Sequence, residues 1–131
     1  MNFLWTLLIV LLVVTLGFGV YHLYLYWLRR RSAVMAKPEE LQAVIRRVQV
    51  VDLREPVVFD RGHILGARNI PYTEFKMRQQ ELRIDRPVYL YDDGLTYVSQ
   101  AANTLKKSGY EQVYILEGGF SEWTGRTKSN E

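Results

Sequence analysis

Two hydrophobic patterns divide the chain. From Phe3 to Leu28 nearly every residue is apolar or aromatic, and no charged residue occurs before Arg29. That run of 26 residues exceeds the roughly 20 that a helix needs to cross a bilayer core. Tyr21, Tyr24, Tyr26 and Trp27 gather in its last turns, where a ring with a polar tip is stable at the headgroup boundary. Arg29, Arg30, Arg31 and Lys37 follow. The pattern predicts a transmembrane anchor with a basic flank over residues 1–31, with residues 3–28 in contact with the membrane. A cleaved leader is the rival reading, since Val34-Met35-Ala36 resembles a small-residue cleavage site. Such leaders, however, carry their positive charge before an apolar core of about 7–15 residues. Here the core is longer and the charge comes after it.

Residues 32–37 read as a juxtamembrane linker. Beyond them the pattern becomes that of a folded domain. Pro38-Glu39-Glu40 marks a helix start, with Leu41, Val44, Ile45 and Val48 recurring at helical spacing. Gln49 to Leu53 and Pro87 to Tyr91 are short apolar runs that predict buried strands, and Val113 to Leu116 is a third. Asn69-Ile70-Pro71 suggests an edge strand ended by proline. Pro56 to Arg61 predicts a short helix or turn, Thr73 caps a polar helix to about Arg83, and a helix runs from about Tyr97 to Lys107. A last short helix is expected around Phe120 and Trp123, and residues 125–131 read as a disordered polar tail. Strands alternating with helices at this spacing predict an α/β domain over 38–124, with a parallel central sheet flanked by helices.

Charge sharpens the picture. The 17 basic and 14 acidic residues give a net charge of +3. Without Arg29, Arg30, Arg31 and Lys37, 13 bases remain against 14 acids, all of which lie after residue 38. The domain is therefore near neutral, and nothing in it points to nucleic acid. The basic flank is suited to anionic headgroups, and positive residues beside a span stay on the cytoplasmic side. A single-pass protein of the cell membrane with its C-terminal domain in the cytoplasm is expected. The chain contains no cysteine, which excludes disulfides, thiolate metal sites and thiol catalysis. No metal and no cofactor are expected.

Two ordered motifs carry a resemblance. Asp52-Leu53-Arg54-Glu55-Pro56, Phe59, Gly62-His63-Ile64, Gly66-Ala67 and Asn69-Ile70-Pro71 resemble the first rhodanese signature. Gly109-Tyr110, Val113-Tyr114, Leu116-Glu117-Gly118-Gly119-Phe120 and Trp123 resemble the closing one. The resemblance implies the rhodanese-like three-layer fold. It also implies a cysteine at the end of the central strand, in a loop whose backbone N–H groups and following helix stabilise a persulfide. Ala101-Ala102 matches the alanine pair of that helix, and counting back places the family's cysteine at Asp92. The loop reads Asp92-Asp93-Gly94-Leu95-Thr96-Tyr97: its length is kept and its nucleophile is gone. A carboxylate cannot accept sulfane sulfur as a persulfide, so the family's transfer step, and that of related cysteine phosphatases, cannot run on this chain alone.

The expected function is a catalytically inactive, membrane-anchored binding or scaffolding module with a protein partner. The alternative is a sulfurtransferase-class protein that uses a partner's cysteine or binds a non-sulfur anion. In the leading reading the Asp92 carboxylate fills the anion nest, accepting the loop's own N–H groups and capping the helix. An aspartate-nucleophile phosphatase would need a second aspartate where Gly94 stands. His63 is expected to be structural, and Asp52 and Arg54 are expected to pair at the pocket rim and order the loop. Tyr97 either plugs the pocket or offers a stacking surface.

Overall fold

The computed structural model describes residues 2–31 and 33–131, apart from the side chains of Tyr26 and residues 28–31. The side chains of the expected Tyr26 anchor and of the basic cluster Arg29–Arg31 thus lie outside the described residues, as does Ser32. The chain divides into two compact units, one ending at Arg31 and one beginning at Ser32.

The first unit is a single helix, α1 (Phe3–Arg31). Its stretch Phe3–Leu25 is long and apolar enough to cross a membrane. Phe3, Trp5, Leu12, Phe18 and Leu23 are all exposed, so it carries no polar face of the kind a surface helix of a soluble protein presents to water.

In the second unit five parallel strands form one sheet: β1 (Val34–Ala36), β2 (Gln49–Asp52), β4 (Arg68–Asn69), β5 (Val88–Tyr91) and β6 (Val113–Leu116), in the order β1-β6-β5-β2-β4. β3 (His63–Ile64) and β7 (Thr127–Lys128) form a separate antiparallel pair. The helices are α2 (Pro38–Val44), α3 (Pro56–Arg61), α4 (Phe75–Arg78) and α5 (Thr96–Lys107). Strand alternation divides the core in two. Val51, Val88 and Leu90 face one layer with Phe75, Val98 and Leu105. Val50, Tyr89 and Tyr91 face the other with Leu41, Ile64 and Trp123. Because β5 lies between β6 and β2, all four of its side chains are buried.

Several local expectations are corrected. Val34–Ala36, placed in the linker, is β1, the edge strand, which pairs with β6 and satisfies backbone groups on that side of β6 that would otherwise be open. Thr73 caps no helix. It lies inside a 3₁₀ turn (Tyr72–Glu74) that leads into the single turn of α4 and a second 3₁₀ turn (Gln79–Glu81). Residues around Phe120 and Trp123 form turns rather than a helix, after Gly118 and Gly119 at φ of 74° and 57°. The tail is ordered as far as Asn130: Thr127–Lys128 pairs with β3, and the Asn130 N–H donates to the Asp60 carbonyl at 2.9 Å. The strand pairing runs through backbone groups, so the polar composition of the tail concealed it.

Gly119 is where the fold meets the loop after β5. A Cβ there would stand 2.2 Å from the Asp92 carbonyl oxygen, whereas one on Gly66, at φ 93°, would meet nothing within 4 Å. Gly66→Ala should therefore cost about 1–2 kcal/mol, the conformational penalty alone. Gly119→Ala should cost clearly more in the same urea titration, and equal losses would contradict the close approach.

Candidate functional site

In an open parallel sheet the crevice beyond the carboxyl ends of the strands is where ligands sit. β2 ends at Asp52 and β5 at Tyr91, so Leu53-Arg54-Glu55 and Asp92-Asp93-Gly94 emerge side by side. With Val58, Tyr72, Thr73, Thr96 and Tyr97 they line a cleft of about 540 Å³, within the range of small-ligand sites.

The frame beneath this cleft is a buried ion pair. Arg54 Nη2 donates to Asp52 Oδ2 at 2.6 Å, Nε reaches both carboxylate oxygens at 3.0 Å, and the Arg54 backbone N–H donates to Oδ1 at 2.9 Å. The Asp52 side chain is 0% exposed and that of Arg54 6%. Nη2 also donates to the Gly62 carbonyl at 2.8 Å, and Asn69 Nδ2 donates to the carbonyls of Asp52 and Arg54. The guanidinium lies 4.7 Å from the centre of the Phe120 ring and 5.6 Å from that of Tyr91, distances at which a cation is attracted to a ring face. Burial opposes the charge on Arg54, but the hydrogen bonds and charge of Asp52 outweigh it and raise its pKa further. Burial, then the neighbouring charge of Asp52, pushes the Tyr91 phenol far above its ordinary value, so it stays protonated. Its oxygen accepts the Ile64 N–H at 3.1 Å.

His63 is 4% exposed. Its Nδ1 lies 2.8 Å from the Phe59 carbonyl oxygen, and its ring stacks on Phe59 at 3.6 Å. It orders the turn after α3 and does not line the cleft.

The altered loop departs from expectation in one respect. Leu95, not Asp92, is the N-cap of α5, and no side chain caps that helix. The Asp93 backbone N–H favours the charged form of the Asp92 carboxylate. Partial burial is the main cause of a raised Asp92 pKa, and the charges of Asp93 and Asp52 add to it. Tyr97 does not plug the cleft: it is 52% exposed and stacks on Tyr72 at 4.5 Å, while the Tyr72 hydroxyl hydrogen-bonds Gln100. Leu95 turns away and, with Val98, Leu116 and Gly118, borders a small pocket of about 90 Å³ behind the loop. Glu55, Tyr72, Tyr91 and Phe120 were missed as site residues. Glu55 stood inside the quoted motif, and the other three read as core or loop.

The cleft lining carries three carboxylates, Glu55, Asp92 and Asp93, and one cation, Arg54, whose charge Asp52 already matches. A sulfur-transfer site needs positive potential to hold a thiolate or persulfide; this one offers the opposite sign.

Two measurements follow. Removing either member of the buried pair leaves the other charge unmatched, so Asp52→Ala and Arg54→Ala should each cost about 3–5 kcal/mol in chemical denaturation, and the double variant should cost much less than the two together. The second concerns pH. A carboxyl whose pKa is raised on folding costs nothing in acid, where it is neutral in both states, and destabilises the fold as pH rises through its folded value. Asp92→Asn should therefore melt above the wild type at pH 7, with the two midpoints converging below about pH 4.

Comparison with known proteins agrees with this geometry. The family model of the rhodanese-like domain matches residues 37–126. Uncharacterized protein YqhL of Bacillus subtilis is 41% identical over 120 residues, covering 92% of this chain and 95% of that protein. An alignment of that length extends beyond the domain into the apolar helix. Thiosulfate sulfurtransferase GlpE of Shewanella oneidensis is 35% identical over 78 residues, covering 60% of this chain and 77% of its own. The crystal structure of the Alr3790 protein from Anabaena superposes with a TM-score of 0.67 at 28% identity, covering 72% of this chain and 82% of that one. With both signatures in place around one sheet, the chain belongs to the rhodanese-like domain family.

Proposed function

We propose that this protein is a membrane-anchored rhodanese-like domain without sulfur-transfer activity of its own, acting as a binding or scaffolding module for a protein partner. The observation that carries the reading is Asp92. It stands at the end of β5, where the family's resemblance places the cysteine, at the edge of an open cleft whose other carboxylates disfavour thiosulfate and persulfide alike. The buried Asp52–Arg54 pair shapes the floor of that cleft. Exposed Tyr97, stacked on Tyr72, adds the kind of aromatic surface that protein interfaces use.

Three observations support the anchor over a cleaved leader. α1 is apolar on all sides, the likeness to YqhL runs into it, and cleavage after Ala36 would remove β1 from the sheet. The basic flank then favours a cytoplasmic domain in the cell membrane. The rival reading, a sulfurtransferase completed by a partner's cysteine or a binder of some other anion, would have to bring an anion against the carboxylates of Glu55, Asp92 and Asp93.

Affinity capture from solubilised membranes tests the proposal, with Asp92→Arg and Tyr97→Ala beside the wild type. One specific partner should be retained by the wild type and reduced about tenfold or more by either substitution. Capture that is unchanged by both variants would overturn the cleft as the binding surface.

A further inference from the structure

A second cleft, of about 510 Å³, shares no lining residue with the first. Its apolar walls are Ile45, Leu65 and Trp123, and its polar groups are Gln42, Arg46 and Arg126. No acidic residue lines it, and among the described residues no ion pair engages Arg46 or Arg126.

The turn that carries Arg126 is built to hold it there. The Arg126 carbonyl accepts the Trp123 indole N–H at 3.1 Å and the Leu65 backbone N–H at 3.0 Å. Gln42 Nε2 donates to Thr124 Oγ1 at 3.0 Å, tying α2 to the same turn. Gly125 passes so close over the indole that a Cβ would stand 2.4 Å from Trp123 Cζ2. The backbone of Arg126 is thus fixed while its side chain stays exposed. Arg46 comes from the 3₁₀ turn Ile45–Arg47 that follows α2. Two guanidinium groups that donate in forks and lack a protein carboxylate match an oxyanion of one to two charges, and the indole and aliphatic walls match an apolar body attached to it.

The geometry points to a binding site for a phosphate-type anion carried on an apolar group, whether the headgroup region of an acidic lipid or a soluble aryl or alkyl phosphate. The site is independent of the Asp92 cleft and of any partner held there.

The test uses the full chain in nonionic micelles with phenyl phosphate as the probe, following the Trp123 indole N–H by NMR. A saturable shift is expected, weakened about tenfold or more in Arg46→Gln/Arg126→Gln and intermediate in Arg46→Lys/Arg126→Lys, with the β5 amide resonances unchanged in both variants. Benzyl alcohol, which keeps the ring and lacks the charge, should produce no saturable shift. Repeating the titration in phosphatidylglycerol and phosphatidylcholine nanodiscs identifies the source. Weaker phenyl phosphate binding in the anionic discs alone upholds the proposal with lipid as occupant, and equal binding in both upholds it with a soluble one. Absence of a saturable shift, or an affinity unchanged by the glutamine pair, would overturn it.

Discussion

The buried contact between Asp52 and Arg54 holds together the segments on which the rest of the domain's upper face depends. Two unit charges withdrawn from water persist only when paired and hydrogen-bonded, and here every group around them contributes. Gly62 supplies a carbonyl oxygen, Asn69 bridges the backbone on either side, and Phe120 and Tyr91 present ring faces to the guanidinium. These contacts join the end of β2, the turn after α3, the end of the closing motif and the end of β5. The mouth of the cleft is therefore rigid before its loop is considered.

A rigid frame explains how the loop can change sign without the domain changing shape. The chain leaves β5 at Asp92, passes within reach of Gly119 and enters α5. None of these constraints concerns the chemistry of the side chain at 92. A carboxylate there is partly buried, and burial together with the charges of Asp93 and Asp52 sets its ionisation against the fold. The loop holds no cysteine, and the cleft it borders is lined by the carboxylates of Glu55, Asp92 and Asp93.

Much of this was legible in the sequence because it rests on local rules. Short apolar runs located β2, β5 and β6, and the proline and acids at 38–40 located the start of α2. The motif spacing placed Asp52, Arg54 and Asp92 at one end of the sheet. What escaped notice depended on partners distant in the chain. Val34–Ala36 becomes a strand only because β6 is an open edge, and Thr127–Lys128 only because β3 is. Tyr91 and Phe120 look like core residues until Arg54 is placed between them. The glycines at 118 and 119 read as a turn, and the turn continues through the residues that follow. The clefts were the least legible features, since each gathers residues from several separate segments, and no periodicity records that convergence.

With Asp92 at the end of β5 and no cysteine in the chain, the cleft above the Asp52–Arg54 pair should carry no sulfur. The most direct measurement is thiosulfate-to-cyanide sulfur transfer by the purified full chain, compared with the same preparation after heat inactivation. The two rates should be indistinguishable. Turnover by the intact protein above the inactivated control would contradict the account.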